Sequence, residues 1–156
     1  MVLSLVLLLA MPFLGWARGK EGKPIVIGCP LSTAFLYGWT AEKGIKLAVE
    51  EINASGGVKV GGVRRSFEVV VMDTRDLEPG VPVSEALLVV EKLILEKKAD
   101  FIVGGPVRSE AALAAMDLLA RYRKISILTT GVLTPKYHKA GGRELQKIQV
   151  LLPHLQ

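Results

Sequence analysis

The chain has 156 residues, with 20 Lys+Arg against 15 Asp+Glu and a formal net charge of +5. Half of it is hydrophobic and 22% charged, which excludes a disordered chain, and the length suits one domain with a real core rather than two. A single cysteine excludes an internal disulfide and a thiolate zinc site, and basic residues spread singly along the chain favour a solvated surface over a nucleic-acid groove.

Met1 to Ala17 carries no charged residue. Its apolar run, Val2 to Ala10, is short for a membrane span, which needs ~20 residues. Gly15 and Ala17 offer the small residues read by a signal peptidase, so residues 1–17 are expected to be a secretory signal cleaved before Arg18. The Lys or Arg that normally opens such a signal is missing. The competing reading is an uncleaved anchor or a buried core helix.

From Pro24 onward strands and helices alternate. Ile25-Val26-Ile27-Gly28-Cys29 is a short β-branched run ended by Pro30, a buried strand in which Cys29 serves as a small core hydrophobe. Ile45, Ala48, Val49 and Ile52 then share a helical face, with Glu42, Lys46 and Glu50 off it, and Asn53-Ala54-Ser55-Gly56-Gly57 closes the helix on a glycine C-cap. Val60-Gly61-Gly62-Val63 is a turn. Phe67 to Asp73 is a strand apolar enough to be buried on both faces, as parallel sheets require.

Pro79-Gly80-Val81-Pro82 breaks the chain before a second helix, whose stripe is Val83, Ala86, Leu87, Val90, Leu93 and Ile94. Phe101-Ile102-Val103-Gly104 is a third strand. Ser109 is the expected N-cap of a third helix that buries Ala112, Leu113, Met116, Leu119 and Ala120, and Ile125 to Leu128 is a fourth strand. The predicted class is α/β, an open and mostly parallel sheet with helices on both faces. Ligands of such sheets bind at the carboxyl ends of the strands, which selects the loops 30–37, 73–77, 105–109 and 129–134.

Those loops hold no phosphate loop, no dinucleotide fingerprint and no nucleophile elbow, so neither an enzyme nor a cofactor is expected. Asp73, Arg75 and Asp76 could hold a metal, but they are too few for an oxygen-ligand site, and Arg75 and Asp76 are expected to pair with each other or with neighbouring loops. What remains is small-molecule capture. Ser32, Thr33, Ser109, Thr129 and Thr130 bring hydroxyls, and the helix start at Ser109 brings free N–H groups. Arg108 offers a two-pronged bond to a carboxylate, while Tyr37 and Trp39 could wall an apolar group. The bland readings are that Ser109 is only a cap, that the threonines bond their own loops, that Arg108 is a solvated charge, and that Tyr37 and Trp39 pack the first helix on the sheet.

The stretches IVIGCPLSTAFLYGWTAEKGIKLAVEEINASGGV, FEVVVMDTRD, ADFIVGGPVRSEA and ISILTTGVLTP, in that order, resemble the N-terminal lobe of type I periplasmic solute-binding proteins, the leucine/isoleucine/valine-binding or branched-chain amino-acid ABC-transporter group. The resemblance runs from Pro24 to about Lys139, and the lobe it implies is expected to span 18–139. It implies an extracytoplasmic, periplasmic protein that binds an amino-acid-like or carboxylate ligand and delivers it to a membrane permease. It also implies that Tyr37 lies beside the ligand, that Arg108 and Ser109 hold an α-carboxylate, and that Thr129, Thr130 and Gly131 hold an ammonium group. Family members often carry serine where Arg108 stands, so a ligand with different carboxylate geometry from leucine is expected. A ligand-sensing receptor or regulator module of the same fold is the alternative.

Residues 140–156 do not continue the resemblance. Codons can be chosen for Gly141 to Gln156 that, in another frame, give VAENYKKYKYFFRIS, a helix-then-strand continuation of such a lobe. The expectation is a frameshift near Ala140 and a truncated copy.

Overall fold

The largely apolar segment Phe67–Asp73 forms a strand with a neighbour along its whole length, and the rest of the sheet is built out from that pair. The computed structural model describes residues 22–129. The elements run β1 (Ile25–Leu31), α1 (Leu36–Ala54), β2 (Val58–Val60), β3 (Val63–Arg65), β4 (Phe67–Asp73), α2 (Val83–Leu95), β5 (Phe101–Gly104), α3 (Ser109–Arg121) and β6 (Ile125–Leu128). The expected signal at 1–17, the tail at 140–156, Thr130 and Gly131 lie outside the described residues.

Four strands make one sheet in the order β4-β1-β5-β6, and every pairing in it is parallel. β1 and β4 run in register from Ile25 opposite Phe67 to Leu31 opposite Asp73. The crossover from β1 to β4 runs one way along the sheet and those from β4 to β5 and β5 to β6 run the other, so with the usual right hand α1 covers one face and α2 with α3 the other. β2 and β3 form a separate antiparallel hairpin around Gly61-Gly62, where the sequence suggested a turn alone.

The core lies between the sheet and α2–α3. Val90, Leu93, Ile94, Ala99, Ile102 and Ala115 are its buried centre, flanked by Val26, Val70, Met72, Leu118, Leu119 and Tyr122. The α2 stripe is as expected from its sequence, with Ala86, Val90, Leu93 and Ile94 buried. In α3 the buried residues are Ala111, Ala112 and Ala115, so the face is rotated from the expected one and Ala120 is exposed. The small alanines let α3 lie close against α2, and the Tyr122 hydroxyl donates to Glu91 Oε1 at 2.8 Å to fix the far end.

α1 is covered less fully. Val49 is buried and Ile45 half-buried, but Ala48 and Ile52 of the expected stripe are exposed. Polar anchoring takes over at its end, where the Asn53 side chain mimics a strand. Its Nδ2 donates to the Phe67 carbonyl at 2.9 Å and its Oδ1 accepts from the Phe67 N–H at 2.8 Å. Two cap bonds stop the helix, Gly56 N–H to the Asn53 carbonyl and Gly57 N–H to the Ile52 carbonyl, with Gly56 at φ 90 as the glycine cap requires.

Cys29 is fully buried on the α1 side of β1. Burial pushes its thiol up to about 12; Glu42 adds to the rise and Lys46 offsets part of it. The folded protein therefore holds this proton more tightly than the unfolded chain, whose thiol keeps the ordinary value of 9.0. Stability from this group is complete below pH 9 and is lost as pH climbs from there towards 12. Urea midpoints across this range are expected to fall more steeply for the native chain than for Cys29→Ala. Equal slopes would refute the assignment.

Candidate functional site

The chain leaves the carboxyl end of β1 towards β4 on one side, and β5 lies on the other. The topological switch point therefore falls between the ends of β1 and β5, walled by the β1–α1 loop and the β5–α3 loop. Both are short, because β1 extends to Leu31 and α1 starts at Leu36, while β5 ends at Gly104 and α3 starts at Ser109.

On the β1 side, Ser32 is fully buried. Its hydroxyl donates to Asp76 Oδ1 at 2.8 Å and accepts from the Leu77 N–H at 3.3 Å. The ligand role suggested for this hydroxyl is therefore not open to it, since both its functions are taken inside the protein. The Thr33 N–H donates to Asp73 Oδ1 at 3.1 Å. Gly38, in the first turn of α1, packs directly on the Ser32 carbonyl, and a Cβ there would collide with that backbone. The close approach sets the position of its neighbour Tyr37.

Tyr37 is 62% exposed and Trp39 47% exposed, which overturns the reading that these rings pack α1 on the sheet. Tyr37 stands in the first turn of α1, at the carboxyl edge of the sheet, with its ring exposed. Trp39 is occupied otherwise, with the Lys43 ammonium 3.6 Å from its ring centroid.

On the β5 side, Gly104 and Gly105 both have positive φ, and they turn the chain into α3. The N-cap is Arg108 rather than Ser109. The reason is that the Arg108 carbonyl already accepts from the Ala112 N–H at 2.9 Å, while its own N–H is drawn to Asp76 Oδ2 at 2.6 Å. Ser109 is then the first helical residue, and the cap position before it carries no side-chain cap bond. The N–H groups of Ser109, Glu110 and Ala111 belong to the helix start, where no intrahelical acceptor reaches them.

The Arg108 side chain is not a solvated charge. Its Nη1 donates to the Val81 carbonyl at 3.1 Å, and its Nε is buried with no partner among the described residues. Thr129 is exposed, its N–H donating to the Gly104 carbonyl at 3.1 Å. Thus Tyr37, Arg108, Ser109 and Thr129 all fall at the carboxyl edge of the sheet.

Asp73, Arg75 and Asp76 do not form a metal centre. Asp73 Oδ1 accepts from two backbone N–H groups, and Asp76 is enclosed by hydroxyl and amide donors. Arg75 and Asp76 do not pair with each other. Arg75 forks onto Glu78 at 2.7 Å and reaches Glu85 at 3.5 Å, contacts that raise its pKa. Among the described residues no three His, Cys, Asp or Glu side chains gather to bind a metal, and no helix is long and apolar enough to cross a membrane. Of the pairings expected for Asp76, with Arg75 or with neighbouring loops, the second is found, to the loops after β1 and β5. Two aspartates three residues apart at a strand end were the only signal of that link.

A parallel sheet whose switch point brings the loops before α1 and α3 to one edge defines an α/β lobe of the open, mostly parallel class. The chain belongs to the periplasmic binding protein family, whose model matches residues 29–142. It is similar to the branched-chain amino acid transporter substrate-binding protein LivJ of Streptococcus pneumoniae, solved with isoleucine, at 30% identity and a TM-score of 0.59 over 72% of this chain and 30% of that one. The leucine-binding protein LivK of Thermotoga maritima shares the fold at 22% identity and a TM-score of 0.52, over 71% of this chain and 28% of its own. So does a Rhodopseudomonas palustris solute-binding protein of an ABC transporter, solved with 3,4-dihydroxybenzoic acid, at 23% identity and a TM-score of 0.50 over 71% of this chain and 27% of that one. The chain thus spans less than a third of the length of these structures. No curated protein matches the sequence.

Proposed function

We propose that the chain is the ligand-gripping N-terminal lobe of an extracytoplasmic solute-binding component of an ABC transporter, taking an amino acid or a related small carboxylate or amide. The observation that carries this reading is the buried, unpartnered Nε of Arg108 beside the start of α3, at the switch point of the sheet. A carboxylate there satisfies that donor and the free helix-start amides together, and gains from the helix dipole. Tyr37 covers the ligand from the β1 side. Ser109 assists in holding the carboxylate, and Thr129, Thr130 and Gly131 are proposed to take the ammonium or amide end. Residues 1–17 are proposed as the export signal, 18–139 as the lobe, and a membrane permease as the partner that receives the solute. The reading includes no catalytic role.

The test is a thermal-shift and calorimetric screen against L-isoleucine, L-leucine, L-glutamate, acetamide and 3,4-dihydroxybenzoate. A bound ligand at 100 times its Kd is expected to add about 2.7 kcal/mol to the unfolding free energy, with no turnover of the ligand. Arg108→Ala is expected to abolish that gain. A screen in which no carboxylate or amide shifts the melting temperature, or in which Arg108→Ala binds as the native chain does, would sink the reading.

A further inference from the structure

Asp76 is the one carboxylate that is fully buried among the described residues, at 1% exposure. Its recorded partners are hydroxyls and an amide rather than a cation. Its Oδ1 accepts from the Ser32 hydroxyl at 2.8 Å and the Thr74 hydroxyl at 2.5 Å, and its Oδ2 from the Arg108 N–H at 2.6 Å. These donors come from three different strand-end segments, those following β1, β4 and β5. Burying a charge is costly, and a well-packed apolar replacement often serves stability as well or better. What an apolar side chain cannot do is hold two loops at a fixed spacing through directed bonds.

The two loops it holds are the two walls of the crevice. On one side the bond to Ser32 fixes the carbonyl against which Gly38 packs, one residue from Tyr37. On the other, the bond to the Arg108 N–H fixes the residue that starts α3 and supplies the guanidinium. We propose that Asp76 is the positioning residue of the crevice: its carboxylate joins Ser32 to the Arg108 amide across the β1–β5 gap and so sets the distance between the Tyr37 wall and the α3 start. This rests on the crevice being the ligand site. Asp76 acts through its neighbours and does not touch the ligand.

The experiment compares Asp76→Ala, Asp76→Asn and Ser32→Ala with Asn53→Ala, which loses two bonds to Phe67 at the other end of the sheet. Amide hydrogen exchange is followed in segments 32–37 and 105–111, relative to 86–94 of α2. Affinity for L-isoleucine and L-glutamate is measured in parallel. Asp76→Ala is expected to speed exchange about tenfold or more in both loop segments and to weaken any binding about tenfold or more. Ser32→Ala is expected to loosen 32–37 and leave 105–111 as in the native chain. Asn53→Ala is expected to change neither loop relative to α2.

If Asp76→Ala does not fold, Asp76→Asn and Ser32→Ala carry the same comparison. Unchanged exchange in both loops of the Asp76 variants, or an equal rise in Asn53→Ala, overturns the proposal. If the native chain binds neither probe, the exchange result still decides the role of Asp76, while the ligand reading is judged by the screen above.

Discussion

Leu93→Ala is expected to lower the unfolding free energy by about 2–5 kcal/mol, because it empties the centre of the core. Leu93 is fully buried in α2, packed with Val90, Ile94, Ala99, Ile102 and Ala115. It also lies under Gly28 of the central strand, where its Cβ would be 3.3 Å from a Cβ added to the glycine. That Cβ stays in the alanine variant, but the branched end beyond it is removed from among these buried neighbours and leaves a cavity in a close-packed core. The comparison is Leu88→Ala on the same helix, which is 54% exposed and should change stability by about 0.5 kcal/mol or less. Urea unfolding followed by circular dichroism reads both. Equal losses at the two positions would mean that α2 is not seated on the sheet as described.

Gly104→Ala is the second. Gly104 closes β5 at φ 105, a conformation that side chains rarely adopt, and an added Cβ would lie 2.5 Å from Leu31 Cδ2. Leu31 is itself fully buried at the end of β1 and has little room to yield. Backbone strain and overpacking together should cost about 2–4 kcal/mol. The two causes separate in a double-mutant cycle with Leu31→Ala. Relief of the clash leaves the strain behind, so the double variant should lose less than the sum of the single losses. Strict additivity would show that the Leu31 contact is absent. Because Gly104 feeds directly into the loop before Arg108, Gly104→Ala is also expected to weaken ligand binding.

The sheet is legible in the chain because its strands are short, mostly apolar segments rich in β-branched residues. Phe67–Asp73 and Phe101–Gly104 have the same bounds in the structure as in the sequence pattern. α2 is equally clear, since its apolar residues recur at the helical period with nothing to interrupt them. The beginning of α1 is not, because Leu36 to Gly44 contains two glycines and no regular stripe. Contact with Ser32 makes Gly38 necessary there, and tertiary contact overrides weak helix propensity. The hairpin β2–β3 escapes for a related reason, three-residue strands being too short to show alternation.

The candidate site divides the same way. That Tyr37, Arg108, Ser109 and Thr129 share one edge follows from their places after strands. Where their hydrogen bonds go does not follow. Residue type makes Ser32 a ligand hydroxyl and Ser109 a cap, yet Ser32 bonds Asp76 and the cap position falls on Arg108. In both cases a single buried carboxylate, distant from one partner by 44 residues and from the other by 32, rearranges the local chemistry that residue type alone suggests.

The strand order has a consequence for the timing of folding. β1 is the first strand of the sheet to be synthesised, yet it lies in the middle, and its partners β4 and β5 begin only at Phe67 and Phe101. A growing chain can pair β1 with β4 once Asp73 has been made, but the other edge of this central strand stays open until Gly104 has been made. Closing such long-range pairs is slow, and the interval leaves apolar surface open to other chains. The same step brings the Arg108 loop up to the Ser32 loop, so the crevice is completed when β1 is sealed and not before.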